Sequence, residues 1–430
     1  MNKEILRLAI PNIISNISVP LLSTVDTALM GRMSALHIGA VGVGAMIFNF
    51  VYWNFGFLRM GTTGITAQAY GQQDDAAIIH TLGRALLVAL VLAMLVLILQ
   101  VPLGELGLYL MNTTEQQAPL LRQYYYIRVW AAPATLGLYV LMGWFFGMQN
   151  AIYPMILTIV INVVNILLSF MLVHYAHMDV DGVAYGTLIA QYVGLLLGLI
   201  LFYHKYAPCL AHYRQRALLE WEHLRRFMTL NRDIFLRTFC LTFSFGFFYS
   251  QSATLGENLL AINVILLQFL NWMSYGIDGF AFAAESLVGK YVGARNEAAT
   301  RRAIRLSFRW GGLLAIAFSL TYGLLGPFLL QIFTDQLPLI EQSMPYLFWM
   351  ILFPLISFAC YVWDGIFVGL MAAVAMRNAM ILSLGFYLLA HFALIHYWGN
   401  HGLWLALLLF MAIRGILQGL LFRWKGLALR

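Results

Sequence analysis

Four carboxylates fall inside otherwise apolar stretches of the sequence: Asp26, Asp278, Glu285 and Asp364. An ionisable group within hydrocarbon is costly unless it faces a bundle interior or a water-filled cavity, so each is a candidate for handling protons or cations. Asp26 is the sharpest candidate, because its segment also carries Pro11, Asn12, Asn16 and Pro20. The two prolines remove backbone hydrogen bonds and permit bending, so such a helix can change shape when the charge at Asp26 changes. The competing reading is an acid kept neutral by structural hydrogen bonds. Asn162, Asn165 and Thr187 could reach Asp26 if their segments meet the first one in a single bundle, although helix-to-helix hydrogen bonding alone would also account for them. Asp278 and Glu285 are seven residues apart and project from one helical face. With Asp364 they could form a second ion site, line a substrate cavity, or anchor helix contacts.

Other chemistries lack their residues. There is no HExxH zinc pair, no GxSxG nucleophile turn and no P-loop, which argues against an enzyme and against direct ATP coupling within the chain. His391, His396 and His401 recur every five residues and do not share a helical face, so no metal site is expected. Cys209, Cys240 and Cys360 suggest neither a disulfide framework nor a metal cluster. Arg59 reads as a counter-charge or as a cation reaching towards an interface.

The elements that must carry these groups are membrane helices. The chain has 430 residues, of which 62% are hydrophobic and 10% charged, against roughly 25% charged in soluble proteins. Each crossing takes roughly 20 apolar residues. The apolar runs give spans near 8–30, 38–66, 80–103, 121–147, 153–174, 183–203, 233–254, 259–289, 304–331, 344–370, 378–397 and 402–422. The runs are continuous, as helices require, and do not alternate in ten-residue strands. The expected fold is an all-α integral membrane protein of twelve transmembrane helices. The first run holds polar residues and no clear cleavage site, so it reads as a retained helix and not as a signal peptide.

With a cytoplasmic N-terminus, the inner connectors, tails and inner span ends hold twenty of the 25 Lys and Arg, and the outer side holds only Arg32 and Arg122. That asymmetry places both termini in the cytoplasm. It also explains the net charge of +7 without nucleic acid, since no basic face with interleaved aromatics is present.

The halves resemble each other at a shift of about 222 residues. Ala67-Gln68-Ala69-Tyr70-Gly71-Gln72-Gln73-Asp74-Asp75-Ala76 parallels Gly289-Lys290-Tyr291-Val292-Gly293-Ala294-Arg295-Asn296-Glu297-Ala298, and Gly143-Trp144-Phe145-Phe146-Gly147 parallels Gly365-Ile366-Phe367-Val368-Gly369. The GxxxG pairs mark packing seams inside each half. The expected organisation is two pseudo-symmetric six-helix lobes, 1–204 and 232–430, joined by a cytoplasmic linker, 205–231. An even number of crossings gives both lobes one orientation and relates them by a two-fold axis along the membrane normal. Such transporters bind substrate between the lobes and expose it alternately to each side.

The run Pro11-Asn12-Ile13 … Val19-Pro20-Leu21-Leu22 … Val25-Asp26-Thr27-Ala28 resembles the first helix of multidrug and toxic compound extrusion (MATE) transporters. Asn231-Arg232-Asp233-Ile234-Phe235-Leu236-Arg237, Asp278-Gly279-Phe280-Ala281 and Trp363-Asp364-Gly365-Ile366-Phe367-Val368-Gly369 look like the DinF branch of that family. The resemblance implies a MATE-like fold in a bacterial inner membrane and cation-driven antiport that exports amphipathic, cationic organic compounds. It further implies that Asp26 is the coupling acid, that Pro11 lets the first helix bend, and that Asn165 and Thr187 line the N-lobe cavity. Many relatives place an aspartate four residues after the asparagine matched by Asn165, where this chain has Ser169. Losing that carboxylate weakens a sodium cage but not protonation of Asp26, so proton coupling is expected. A sodium-coupled drug antiporter and a flippase for lipid or lipid-linked sugar are the alternatives. The expected partners are the lipid bilayer and a small organic substrate, with no cofactor beyond the coupling ion and a monomeric state.

Overall fold

The structure, a computed structural model, describes the backbone of residues 1–31, 35–111, 113–218, 220–334 and 336–426. It describes their side chains except those of 19–31, 35, 38, 215, 216 and 425. Among the described residues the chain is helical and carries no strand. The principal helices are α1 (Asn2–Gly31), α2 (Gly39–Gln72, interrupted by a turn at Phe55 and Gly56), α3 (Asp75–Ile98), α4 (Ala118–Gly147), α5 (Ile152–His174) and α6 (Val180–Tyr206). They continue with α7 (Trp221–Thr254), α8 (Glu257–Gly293), α9 (Glu297–Phe333) and α10 (Leu347–Gly369). The last stretch, Ala373–Lys425, turns at Gly399, whose φ of 52° breaks it into α11 (373–398) and α12 (400–425). These are the twelve helices that the apolar runs predict.

The helices outlast the apolar runs. α2 and α8 continue to Gln72 and Gly293, and α3 and α9 begin at Asp75 and Glu297. Apolar length measures the hydrocarbon, whereas a helix adds polar turns beyond it where caps are available. Asp74 accepts the N–H of Ala77 at 2.9 Å, and Asn296 accepts that of Ala299 at 3.0 Å. These two caps are 222 residues apart.

The repeat is written into the backbone as well. Positive φ occurs at Gln73 (58°) and Arg295 (54°), at Gln149 (60°) and Met371 (57°), and at His177 (51°) and Gly399 (52°). Each pair is separated by 222 residues. Five of these six residues have a Cβ, which makes the left-handed conformation unfavourable, so the turn itself is specified even where glycine is absent.

The chain packs as two compact units. One, here the N-lobe, is Ile14–Met228; the other, the C-lobe, joins Met1–Ile13 to Thr229–Arg430. In the N-lobe, α4 is the central element, with Trp144 and Phe145 fully buried and the Trp144 ring N–H donated to the Ile78 carbonyl at 3.0 Å. In the C-lobe the core is built on Phe269, Phe353, Trp404 and Phe410. Large apolar residues such as Ile98, Leu324 and Leu389 lie on the outside of their helices, which suits a lipid surround.

Both GxxxG seams have one geometry. A Cβ on Gly143 would lie 2.4 Å from the Arg59 carbonyl oxygen, and one on Gly365 would lie 2.1 Å from that of Ala281. One turn on, Gly147 sits against the Thr63 carbonyl and Gly369 against that of Glu285. Each pair again differs by 222, so in each lobe the fourth helix presses its glycines directly onto the backbone of the second.

Candidate functional site

Two polar clusters lie inside the lobes. In the N-lobe, Asn165 on α5 is 1% exposed and donates its amide to the Thr187 hydroxyl on α6 at 2.8 Å. Thr187 in turn donates to the Val183 carbonyl at 3.0 Å, so its hydroxyl is fixed as an acceptor towards Asn165. Asn165 Oδ1 is left buried without a hydrogen-bond donor from the described protein. Ser169, one turn along α5, is fully buried against Gly186, and its hydroxyl likewise finds no partner among the described residues. Asn162 donates to Ser18 on α1 at 2.9 Å. The structure therefore brings together Asn165, Thr187 and Ser169, and joins Asn162 to the first helix.

The side chains of Asp26 and Pro20 lie outside the described residues. Pro11 is half-buried in α1, which is helical throughout. It has no N–H for the Arg7 carbonyl, while the next residue, Asn12, donates its side-chain amide to the Leu8 carbonyl at 2.9 Å. Ala9 and Ile13 press on Gly279 of α8, where a Cβ would lie 2.4 Å from the Ile13 side chain.

The C-lobe cluster is ionic. Asp364 on α10 is 5% exposed. Its Oδ2 accepts from Nη2 of Arg237 on α7 and from Nη2 of Arg414 on α12, and its Oδ1 accepts from Gln418 Nε2 at 2.7 Å. Arg414 and Gln418 are four apart and share one face of α12. The Arg414 guanidinium lies 5.8 Å from the Tyr361 ring centre, and the Tyr361 hydroxyl meets Ser274 on α8 at 2.8 Å. Asp278, one turn beyond Ser274, is half-buried and within electrostatic reach of Arg237 and Tyr361. Glu285 is buried further along α8, beneath Gly369. Asp364, Arg237, Arg414 and Gln418 thus form one buried network.

Sequence reasoning missed Arg237 as a partner. Among the inner-flank cations it is buried, and its acid is 127 residues away. The signal available was that Arg414 lies in a span and needs an acid, and Asp364 is an acid in a span. Asp233 is buried and accepts on Oδ1 from half-buried Arg377, whose Nη1 lies at 2.6 Å, and from Arg232 at 3.2 Å. Arg59 is half-buried beside Phe146, 5.9 Å from its ring centre. His391 is buried against Phe247, and His401 accepts the Trp349 ring N–H at 3.0 Å.

Comparison with known proteins decides what these lobes belong to. The MatE family model matches residues 11–171 and 234–392, one stretch in each half. The chain belongs to the MatE family. As a MatE protein it is a multi-pass membrane transporter and not an enzyme. It is 38% identical to DNA damage-inducible protein F of Escherichia coli over 99% of this chain and 93% of that protein. It is 27% identical to the probable multidrug resistance protein NorM of Bradyrhizobium diazoefficiens over 70% of this chain and 65% of that protein. Solved MATE structures in the bent and the straight conformation superpose with TM-scores of 0.90 and 0.88 at 20% identity. They cover 99% and 100% of this chain and 96% of theirs, and they establish the fold.

Proposed function

We propose that this MatE transporter is a proton-driven antiporter of a bacterial inner membrane, with both termini cytoplasmic and Asp26 as the coupling acid. Its cargo is an amphipathic, cationic organic compound, exported by alternating access between the two lobes. It works as a monomer and uses no cofactor beyond the coupling ion.

The observation that carries this reading is the Asn165–Thr187–Ser169 cluster. It offers buried neutral oxygens, Asn165 Oδ1 and Ser169 Oγ, and no carboxylate among the described residues. A protonated acid can donate to such an oxygen, whereas an ionised one cannot, so a polar, uncharged lining favours exchange of a proton. A sodium ion would want more oxygen ligands with formal charge. Two lines favour a cationic drug over a lipid-linked pyrophosphate. The buried guanidiniums of the C-lobe already face Asp364, and relatives such as NorM carry multidrug resistance in their names.

The test is dye export by purified protein in liposomes, under an imposed proton gradient and separately under a sodium gradient. Export driven by protons alone, and abolished by Asp26→Asn, is the expected result. Export driven by sodium would overturn the coupling, and export surviving Asp26→Asn would overturn the role of that residue.

A further inference from the structure

The C-lobe carboxylate is already liganded by the protein. Asp364 spends one oxygen on two guanidiniums, from Arg237 and Arg414, and the other on the Gln418 amide. A carboxylate inside a transporter lobe would ordinarily be a place for a coupling cation. Here three N–H donors occupy both directions on Oδ2 and one on Oδ1, and any incoming ion would meet two like charges within a few ångströms.

The network is confined to one half. At the 222-residue shift, the residues matching Arg237, Asp364, Arg414 and Gln418 are Ser15, Met142, Tyr192 and Leu196, none of them charged. The repeat therefore does not require this network, because caps, left-handed turns and glycine seams recur in both lobes without it.

We propose that Arg237 and Arg414 are ion-selectivity residues: their guanidiniums are resident counter-cations that fill the Asp364 site, so the C-lobe takes up no inorganic cation and coupling is left to the other lobe. Removing one guanidinium frees a lone-pair direction on Asp364 Oδ2, opens the space that the side chain occupied, and leaves oxygen ligands for a cation. Those ligands are the Asp364 carboxylate and Gln418 Oε1, which is fully buried and accepts no hydrogen bond among the described residues. A small monovalent cation fits that chemistry. The inference rests on the reading of the chain as an ion-driven antiporter, but not on which ion drives it.

The experiment is sodium binding at pH 8, followed by radioactive sodium and by sodium-dependent thermal stabilisation of full-length protein in detergent. Every variant carries Asp26→Asn, so that sodium held by the N-lobe acid, which would refute proton coupling, does not enter the signal. With the network intact no saturable binding is expected. Arg414→Met should gain one sodium per chain, Arg414→Lys should gain none, and Arg414→Met with Asp364→Asn should lose what was gained. Arg237→Met, on a different helix, provides an independent second reading if Arg414→Met does not fold, and recovery of folding by added sodium counts in favour. Sodium bound by the intact network and lost on Asp364→Asn would overturn the proposal. So would failure of both methionine variants to acquire sodium.

Discussion

The two lobes share a backbone plan and differ in the chemistry placed on it. Each has the same capped start to its third helix, left-handed turns 222 residues apart, and a glycine seam pressed onto a neighbouring carbonyl. Inside that plan the N-lobe carries Asn162, Asn165, Ser169 and Thr187, whereas the C-lobe carries Asp364 bound by Arg237, Arg414 and Gln418. Neutral hydrogen-bonding groups can exchange partners at modest cost. A buried, multiply bonded ion cluster cannot lose one member without stranding a charge. The contrast sets a lobe of exchangeable hydrogen bonds against one fixed by its own charges.

The largest expected effect comes from breaking the fixed side. Asp364→Asn leaves two buried guanidiniums facing a neutral amide and should cost about 3–5 kcal/mol, read as a large fall in melting temperature in detergent. Asp26→Asn should stop driven export with little change in melting temperature. Equal thermal behaviour of the two variants would remove the contrast.

The shared plan should respond in parallel. Gly365→Ala and Gly143→Ala each drive a methyl group into a carbonyl oxygen, and each should destabilise by roughly 1–3 kcal/mol. Gly365 should be the worse of the two because its approach is closer, 2.1 against 2.4 Å. A harmless substitution at either seam would show that the two do not do the same job.

Smaller effects sharpen the N-lobe. Thr187→Val keeps the shape but leaves the Asn165 amide without its acceptor, at about 1–2 kcal/mol. Its effect on export should exceed its effect on melting temperature. The caps set the lower end: Asp74→Ala and Asn296→Ala should each cost about 1 kcal/mol, nearly equally, by thermal unfolding.

The smallest effect is at the start of α1. Burial pulls the Glu4 carboxyl up, but hydrogen bonds from the N-terminal ammonium and Tyr291, with the charge of Lys290, outweigh it and hold the group below its ordinary 4.5. A depressed acid stabilises the fold above that pH and stops doing so as the pH falls through its lowered value. The difference in melting temperature between wild type and Glu4→Gln should therefore be largest at about pH 6, between the carboxyl and the N-terminal ammonium, and shrink as the pH falls below 4.5.

Much of this was legible in the sequence, and for physical reasons. Hydrocarbon demands long apolar runs, so the twelve helices were evident, with their ends displaced where Asp74 and Asn296 extend helices into the polar zone. Close helix approach demands small residues, so Gly143 and Gly365 announced their seams. The Asn165–Thr187 bond was foreseeable because in-span amides and hydroxyls seek each other. Arg237 was not foreseeable, since a cation near a span end looks the same whether it faces water or an acid 127 residues away. Nor were the turns at Gln73, Gln149 and Met371, whose side chains give no hint of positive φ.

The membership of the two lobes has a further consequence. The chain passes from one compact unit to the other between Ile13 and Ile14, inside a single helix. Met1–Ile13 belong to the C-lobe, where Glu4 meets Lys290 and Tyr291, Asn2 meets Trp310, and Ala9 and Ile13 pack on Gly279. A gene cut at the linker would not yield two self-sufficient halves, because the second polypeptide would lack a piece carried by the first. The two fragments would have to be produced together, the first completing the second by donating that segment, and a bulky tag fused to Met1 would disturb the lobe encoded farthest from it.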